Sequence, residues 1–156
     1  MTWTGDNGRR LRLWIPEEVG VIADPQAFME TLVRAVGLLE DQPIDIYANP
    51  SFLPDAIAAD YDKRWTEERI KKVVRAVAAR NVAIELNDRY GLPSAAFVRM
   101  AREAGCRFTL GTNNTFSADP GRSEYGQAHG RRVAGRVVAQ SGGWQVRRAS
   151  AELTAL

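Results

Sequence analysis

The chain has 156 residues, 45% of them hydrophobic and 26% charged, and a formal net charge of +2. This length suits one domain with a buried core, and the small net charge does not indicate nucleic-acid binding. No run approaches the roughly 20 apolar residues of a membrane helix, and the single cysteine, Cys106, excludes an internal disulfide. We therefore expect a cytoplasmic protein with no membrane partner and no specific nucleic-acid partner.

Strands and helices alternate from the N-terminus onward. Residues 1–9 are rich in Gly, Thr and Asn and predict a flexible lead-in. Leu11–Ile15 alternates between apolar and polar residues and predicts the first strand, which Pro16 ends. Asp24 and Pro25 predict the start of a helix, as cap and first residue. Its expected buried stripe is Phe28, Leu32, Ala35, Val36 and Leu39.

The same alternation continues through the middle of the chain. Ile44–Ala48 predicts the second strand, and residues 49–65 predict a long loop. Thr66 predicts the cap of a second helix, and Asn81 suits the left-handed residue after it. The expected buried stripe of this helix is Ile70, Val73, Val74, Val77 and Ala78.

Two further strands and a helix complete the repeat. Val82–Leu86 predicts the third strand and Arg107–Gly111 the fourth, with a helix between them that begins at Pro93-Ser94 and ends at Gly105. Its apolar residues are Phe97, Val98, Ala101 and Ala104.

The alternation predicts parallel strands with right-handed crossovers. Four strands are too few for an eight-stranded barrel, so we expect an open sheet, a partial barrel, or half of a barrel completed by another copy. Residues 126–156 predict a weakly helical basic tail, because glycines interrupt the pattern there.

Polar clusters follow the predicted strands at the ends where parallel α/β folds place their sites. None of them contains a histidine or a cysteine, and the only histidine, His129, is expected at the surface. A catalytic triad or a zinc site of the usual type therefore has too few candidate residues. The clusters are Glu17-Glu18, Asn49-Pro50-Ser51, Asn87-Asp88-Arg89 and Thr112–Thr115.

Glu85 is a charged residue inside an apolar strand, which is costly unless the charge is paired or bound. Its side chain is expected on the face opposite Ile84 and Leu86. One interpretation is a pocket carboxylate that acts as metal ligand, general base or substrate anchor. The other is a structural ion pair with Arg89 or Arg107. Arg89 itself could hold a phosphate or carboxylate, or lie at the surface.

Two segments at the starts of loops are weaker candidates for the site. Pro50 is expected to hold Asn49 in an extended conformation that projects its side chain from the strand end, although a plain loop opening fits these residues better. Residues 111–115 form a polar loop entered by a glycine, which could donate hydrogen bonds to an anion. This loop lacks the spacing of a P-loop.

These motifs resemble the C-terminal half of a PHP domain, the polymerase and histidinol phosphatase family. Ala48-Asn49-Pro50 stands where the family has Gly/Ser-His-Pro, and Ile84-Glu85-Leu86-Asn87 matches its Glu-Ile-Asn strand end. Gly111–Thr115 stands at its Gly-Ser/Thr-Asp-x-His loop, and the helix between also fits. The resemblance covers about residues 10–125, without the family's opening His-x-His strand.

The resemblance implies an α/β fold, a partial (β/α) barrel of PHP type, over residues 10–125. It also implies a metal-dependent hydrolase of the phosphoesterase class, with Mn, Zn or Mg as cofactor. Glu85 would be the catalytic residue and a candidate metal ligand. Because neutral groups replace three of the family's ligands, at Asn49, Asn113 and Thr115, the implied metal site is degenerate. The implied substrate-binding residues are Asn49, Asn87, Arg89, Asn113 and Thr115.

Whether the chain is an enzyme stays open at this point. The alternative is a non-catalytic module, derived from the same fold, that binds a small molecule or a protein. In either case we expect a small-molecule substrate or ligand. We also expect a homodimer, or a missing N-terminal half, to complete the fold.

Overall fold

The structure is a computed structural model that describes residues 2–4, 10–37, 44–112, 125, 128, 140–141 and 145–146. In chain order its elements are β1 (Thr2–Thr4), β2 (Arg10–Arg12), α1 (Pro16–Val19), α2 (Pro25–Gly37), β3 (Ile46–Tyr47), α3 (Asp55–Ala58), α4 (Tyr61–Arg64), α5 (Glu67–Ala79), β4 (Ala83–Asn87), α6 (Ala95–Glu103), β5 (Arg107–Gly111), β6 (Gln140–Ser141) and β7 (Gln145–Val146). No helix in these ranges is long and apolar enough to span a membrane.

A parallel sheet of three strands, in the order β3-β4-β5, lies at the centre of the fold. Helices α3, α4 and α5 connect β3 to β4, and α6 connects β4 to β5. The predicted α/β class with parallel strands is confirmed at this level. The described sheet has three parallel strands rather than the four expected.

The predicted first strand belongs to a separate antiparallel pair. Arg10–Arg12 pairs with Thr2–Thr4, which falls within the predicted lead-in. The strand ends early because the N–H of Ile15 donates to the carbonyl of Arg12 at 3.0 Å, closing a turn. Leu13, in that turn, is buried. Pro16 then begins a one-turn helix, where a missing N–H carries no cost.

The two faces of the parallel sheet differ, as the alternation of a strand requires. Ile84, Leu86 and Phe108 are fully buried and share one cluster with Val73 of α5 and Phe97 of α6. The opposite face of β4 carries Glu85 and Asn87. The predicted orientation of Glu85, away from Ile84 and Leu86, agrees with this arrangement.

The helix boundaries follow the predicted caps. Side-chain oxygens of Asp24, Thr66 and Ser94 accept backbone N–H groups in the first turns of α2, α5 and α6, at 2.9 to 3.4 Å. Asn81 and Gly105, which follow α5 and α6, adopt φ angles of 56° and 82°. These predictions are confirmed.

The buried stripes agree with the sequence except at a few positions. Ala35 and Ala104 are exposed, Met29 is buried although it was not predicted, and Leu39 lies outside the described residues. Met29 follows Phe28 directly, so the buried face of α2 is wider than the narrow stripe expected. The observed buried sets are Phe28, Met29, Leu32 and Val36 in α2, Ile70, Val73, Val74 and Val77 in α5, and Phe97, Val98 and Ala101 in α6.

The segment predicted as one long loop contains two short helices, α3 and α4. It folds back on itself because the indole N–H of Trp65 donates to the carbonyl of Ser51 at 2.8 Å, and both residues are buried. Helices of four residues are too short to show a periodic apolar pattern. Of the predicted basic tail, only residue 128 and the antiparallel pair β6 and β7 are described.

Replacing Ile84 tests which face of the sheet packs on the helices. Ile84→Ala should lower the free energy of unfolding by about 2–5 kcal/mol, because it leaves a cavity in a fully buried position. Ile46→Ala removes the same atoms from a half-buried position on the opposite face and should cost less. Urea unfolding of both variants measures the difference. Equal losses would contradict this assignment of the faces.

Candidate functional site

Three predicted site residues meet at the carboxyl ends of β3 and β4. The backbone N–H of Asn49 donates to Glu85 Oε2 at 2.6 Å. The Asn87 amide nitrogen donates to Asn49 Oδ1 at 2.8 Å and to Glu85 Oε2 at 3.3 Å. We call Asn49, Glu85 and Asn87 the strand-end network. Glu85 forms no ion pair with Arg89 or Arg107 in the described structure, so N–H groups balance its charge there.

Asn49 has a left-handed backbone, and the expectation of an extended conformation was wrong. Its φ is 48°, and Ser51, two residues later, has a φ of 65°. Asparagine tolerates this region better than most residues. The bond from its N–H to the Glu85 carboxylate helps to offset the strain, since bonds to charged groups are the stronger ones.

Gly111 provides the space in which the Glu85 side chain lies. A Cβ built on Gly111 would lie 1.8 Å from Glu85 Oε1 and 2.6 Å from its Cδ. Gly111 also pairs in register with Asn87 across β4 and β5. Position 111 therefore requires glycine, because any side chain there would collide with the Glu85 carboxylate. Asn113 and Thr115, predicted to line the same site, lie outside the described residues.

Asn87 links the strand-end network to the loop after β4. It is fully buried, and its Oδ1 accepts the backbone N–H of Tyr90 at 3.1 Å. Its backbone N–H and C=O bond to those of Leu92 at 2.7 and 3.1 Å. These bonds close the loop on Asn87, and the loop contributes the side chains of Tyr90 and Leu92 to the cleft described below.

Arg89, also predicted as a site residue, lies apart from the network. Its side chain is exposed, and its guanidinium lies 6.0 Å from the centroid of the Tyr90 ring. That distance fits a cation–π contact.

A second polar cluster surrounds Ser51, which is fully buried. The Tyr61 hydroxyl donates to Ser51 Oγ at 2.5 Å. Burial raises the pKa of Tyr61 and that of Tyr47. Burial, followed by the influence of Tyr61, raises the pKa of Tyr125 to about 12, and its hydroxyl donates to the carbonyl of Pro93. These phenols therefore stay neutral at physiological pH.

A cleft of about 400 Å³ opens beside these two clusters. We call it the aromatic cleft, because four of the described residues that line it carry rings. Phe52 and Tyr90 meet edge to face, with ring centroids 5.1 Å apart. The side chains of Trp14 and Tyr90 are 48% and 42% exposed. The described lining is Trp14, Phe52, Leu53, Asp55, Ala58, Tyr61, Tyr90 and Leu92.

Sequence reasoning predicted a site at the strand ends and did not predict the aromatic cleft. Phe52 and Tyr90 each follow a strand by a few residues, and that was the available signal. The contribution of Trp14 could not be foreseen, because it comes from the turn after β2.

The described donors do not fit the divalent metal that the resemblance implies. The described residues contain no group of three His, Cys, Asp or Glu side chains that could hold a metal ion. Glu85 Oε2 accepts N–H groups, and Asn49 Oδ1 already accepts the Asn87 amide. Amide oxygens are also weak ligands for Zn²⁺ and other transition metals.

Comparison of the chain with models of known protein families, with curated proteins and with solved structures finds no match. The resemblance to the PHP family therefore stays a prediction from the residues. The function has to be argued from the geometry of the site.

Replacing Gly111 tests the contact with Glu85. Gly111→Ala should lower the free energy of unfolding by about 1–3 kcal/mol, because its Cβ displaces the carboxylate from the Asn49 N–H. Gly37→Ala is the matched control, since nothing lies within 4 Å of a Cβ there.

The same substitution in a Glu85→Ala background completes a double-mutant cycle. With the carboxylate gone, the added methyl group has room, so we expect a coupling of about 0.5–3 kcal/mol between the two sites. Chemical denaturation of all four proteins provides the values. Additive losses would show that Glu85 does not occupy the space above Gly111.

Proposed function

We propose that this chain is a non-catalytic binding module that holds a small molecule in the aromatic cleft. The observation that carries the proposal is the cleft itself, which combines four rings in a volume of about 400 Å³. Volumes in this range and mainly apolar walls are typical of small-molecule sites. Segments that follow β3 and β4 line it, at the end where α/β folds bind their ligands.

The contacts of the Glu85 carboxylate favour a binding function for the chain over a catalytic one. A general base must reach the proton that it removes. Glu85 Oε2 instead accepts the N–H of Asn49 at 2.6 Å, and its Oε1 lies over Gly111. We infer that Glu85 fixes the loops that carry the cleft.

We also propose that the fold derives from half of a PHP-type barrel. Three parallel strands in sequential order, with helices between them, are what such a half would contain. The residues that carry the resemblance, Asn49, Glu85 and Asn87, are direct neighbours. In this proposal the former metal site has become a hydrogen-bonded support.

A PHP-like metal-dependent phosphoesterase with a degenerate site is the second candidate. One observation favours it: Thr109, the register partner of Glu85, buries a hydroxyl that has no hydrogen-bond partner among the described groups. A buried hydroxyl beside a carboxylate is a place where a water or a ligand could bind. In this candidate Glu85 would be the catalytic carboxylate, with Asn87 and Arg89 binding the substrate.

Ligand-observed NMR tests the binding proposal. A library of small neutral, cationic and anionic molecules is screened against the chain, and we expect at least one to bind. Trp14→Ala should weaken that binding, because it removes a half-exposed ring from the cleft. Val21→Ala is the control, because Val21 is 92% exposed and is not one of the lining residues. If no molecule binds, or if Trp14→Ala has no effect, the proposal is wrong.

Metal content and hydrolysis separate the two candidates. For the binding module, elemental analysis after incubation with Mn²⁺ or Zn²⁺ should find no retained ion. Hydrolysis of phosphate monoesters should then be the same for the wild type and for Glu85→Gln. Retained metal, together with an activity that Glu85→Gln abolishes, would establish the second candidate instead.

We propose further that two copies of the chain associate, since β3 and β5 are the outer strands of the described sheet and strand edges favour pairing. Sedimentation equilibrium should then give a mass that rises from monomer to dimer with concentration. A monomer at every concentration would exclude this association.

A further inference from the structure

We propose that the ligand of the aromatic cleft is a small organic cation with an alkylated ammonium group, such as a trimethylammonium. This inference rests on the proposed binding function and names the chemical class that the cleft would accept. It depends on three features of the described lining: its charge, its rings and its single charged hydrogen-bond acceptor.

The charge of the described lining is negative. Asp55 is the only ionisable carboxylate among the described lining residues, and none of those residues is a lysine or an arginine. No hydrogen bond or ion pair engages the Asp55 carboxylate in the described structure. An unpaired carboxylate at the edge of an apolar cleft attracts a cation and repels an anion.

The rings of the lining suit a cation that has an apolar surface. Trp14, Phe52, Tyr61 and Tyr90 all border the same space. A cation within about 6 Å of a ring centroid is attracted by the face of that ring, most strongly for tryptophan. Trp14 also leaves 48% of its surface exposed, so a ligand with methyl groups would bury apolar area there.

Arg89 shows that a cation can lie against one of these rings, since its guanidinium is 6.0 Å from the Tyr90 centroid. Arg89 is not one of the described lining residues. Its positive charge would oppose a second cation on Tyr90 but would favour an anionic ligand. Removing Arg89 should therefore weaken the binding of an anion, and should leave the binding of a cation unchanged or make it tighter.

The presence of a single charged acceptor favours an alkylated ammonium over a primary one. A primary ammonium has three N–H donors, each of which needs an acceptor once water is removed. Asp55 is the one charged acceptor in the described lining, and the neutral hydroxyls of Tyr61 and Tyr90 are weaker acceptors. A trimethylammonium has no N–H donors, so aromatic faces and one carboxylate suffice to hold it.

Isothermal titration calorimetry on the full chain tests this inference with choline as the probe. The comparison ligand is the neutral isostere of choline, in which a tert-butyl group replaces the trimethylammonium. A neutral monosaccharide is a third ligand, because sugars also stack on aromatic rings. We expect choline to bind about tenfold or more tightly than its isostere, since only choline interacts with both the ring faces and Asp55.

Four variants show where and how choline binds. Trp14→Ala should weaken its binding about three- to thirtyfold, and Asp55→Asn about two- to fivefold. Asp45→Asn is the matched control for Asp55, since Asp45 is exposed at the opposite end of β3. Arg89→Ala should leave choline binding unchanged or make it tighter. Circular dichroism of each variant confirms that it is folded.

The outcomes distinguish a failure of the ammonium inference from a failure of the proposed binding function. Equal binding of choline and its neutral isostere, or an unchanged affinity in Asp55→Asn, would overturn the ammonium inference. The same holds if Arg89→Ala weakens choline binding. If the monosaccharide, or an anion from the library screened by NMR, binds in the cleft while choline does not, the inference fails and the binding function stands. If no ligand of any class binds, both are wrong.

Discussion

The carboxylate of Glu85 is the group on which the ends of all three parallel strands depend. It accepts the N–H of Asn49 after β3, lies beside Asn87 on its own strand, and rests against Gly111 at the end of β5. A half-buried charge at this position costs free energy unless N–H groups solvate it. Three features therefore require one another: the left-handed backbone at Asn49, the buried amide of Asn87 and the missing side chain at Gly111. A change in any one of them leaves the carboxylate without its partners or without its space.

Asn87 of the strand-end network and the buried Ser51 also hold the aromatic cleft in shape. Asn87 fixes Tyr90 through its Oδ1, and Ser51 holds Tyr61 through its hydroxyl. Rings that are half exposed cannot be fixed by core packing alone, because solvent covers one side of them. Buried hydrogen bonds at their bases supply the missing constraint. In the proposed function, the strand-end network is a support and the cleft is the surface that would meet a ligand. This division of roles explains why the polar residues are buried while Trp14 and Tyr90 are exposed.

Much of the fold could be predicted because its signals are local. Asp24, Thr66 and Ser94 cap helices through bonds to residues two or three positions away, so the sequence alone shows them. The pairing of Arg10–Arg12 could not be read in this way, because alternation predicts a strand but not its partner. The hydrogen-bond partner of Glu85 could not be predicted from the sequence either. The Asn49 N–H is 36 residues away and is a backbone group, whereas sequence patterns reveal side chains. The cleft is a third case, since its rings come from the β2–α1 turn, the segment after β3 and the loop after β4.

Our proposal of a PHP-type origin rests on the order of the strand-end residues, while the hydrogen bonds of these residues favour a structural use of them. Glu85 Oε2 already accepts the Asn49 N–H at 2.6 Å, so a metal or a proton on this oxygen would compete with that bond. In this chain breaking it would also release a strained backbone at Asn49. The hydrogen bond of Glu85 Oε2 holds the loop at Asn49, which is the role that we propose for this carboxylate. The unpaired carboxylate in the described lining is instead Asp55, which stands among rings rather than among metal ligands. Among the described residues, the unpaired carboxylate thus lies in the cleft rather than at the strand end, and this is why we propose binding rather than hydrolysis.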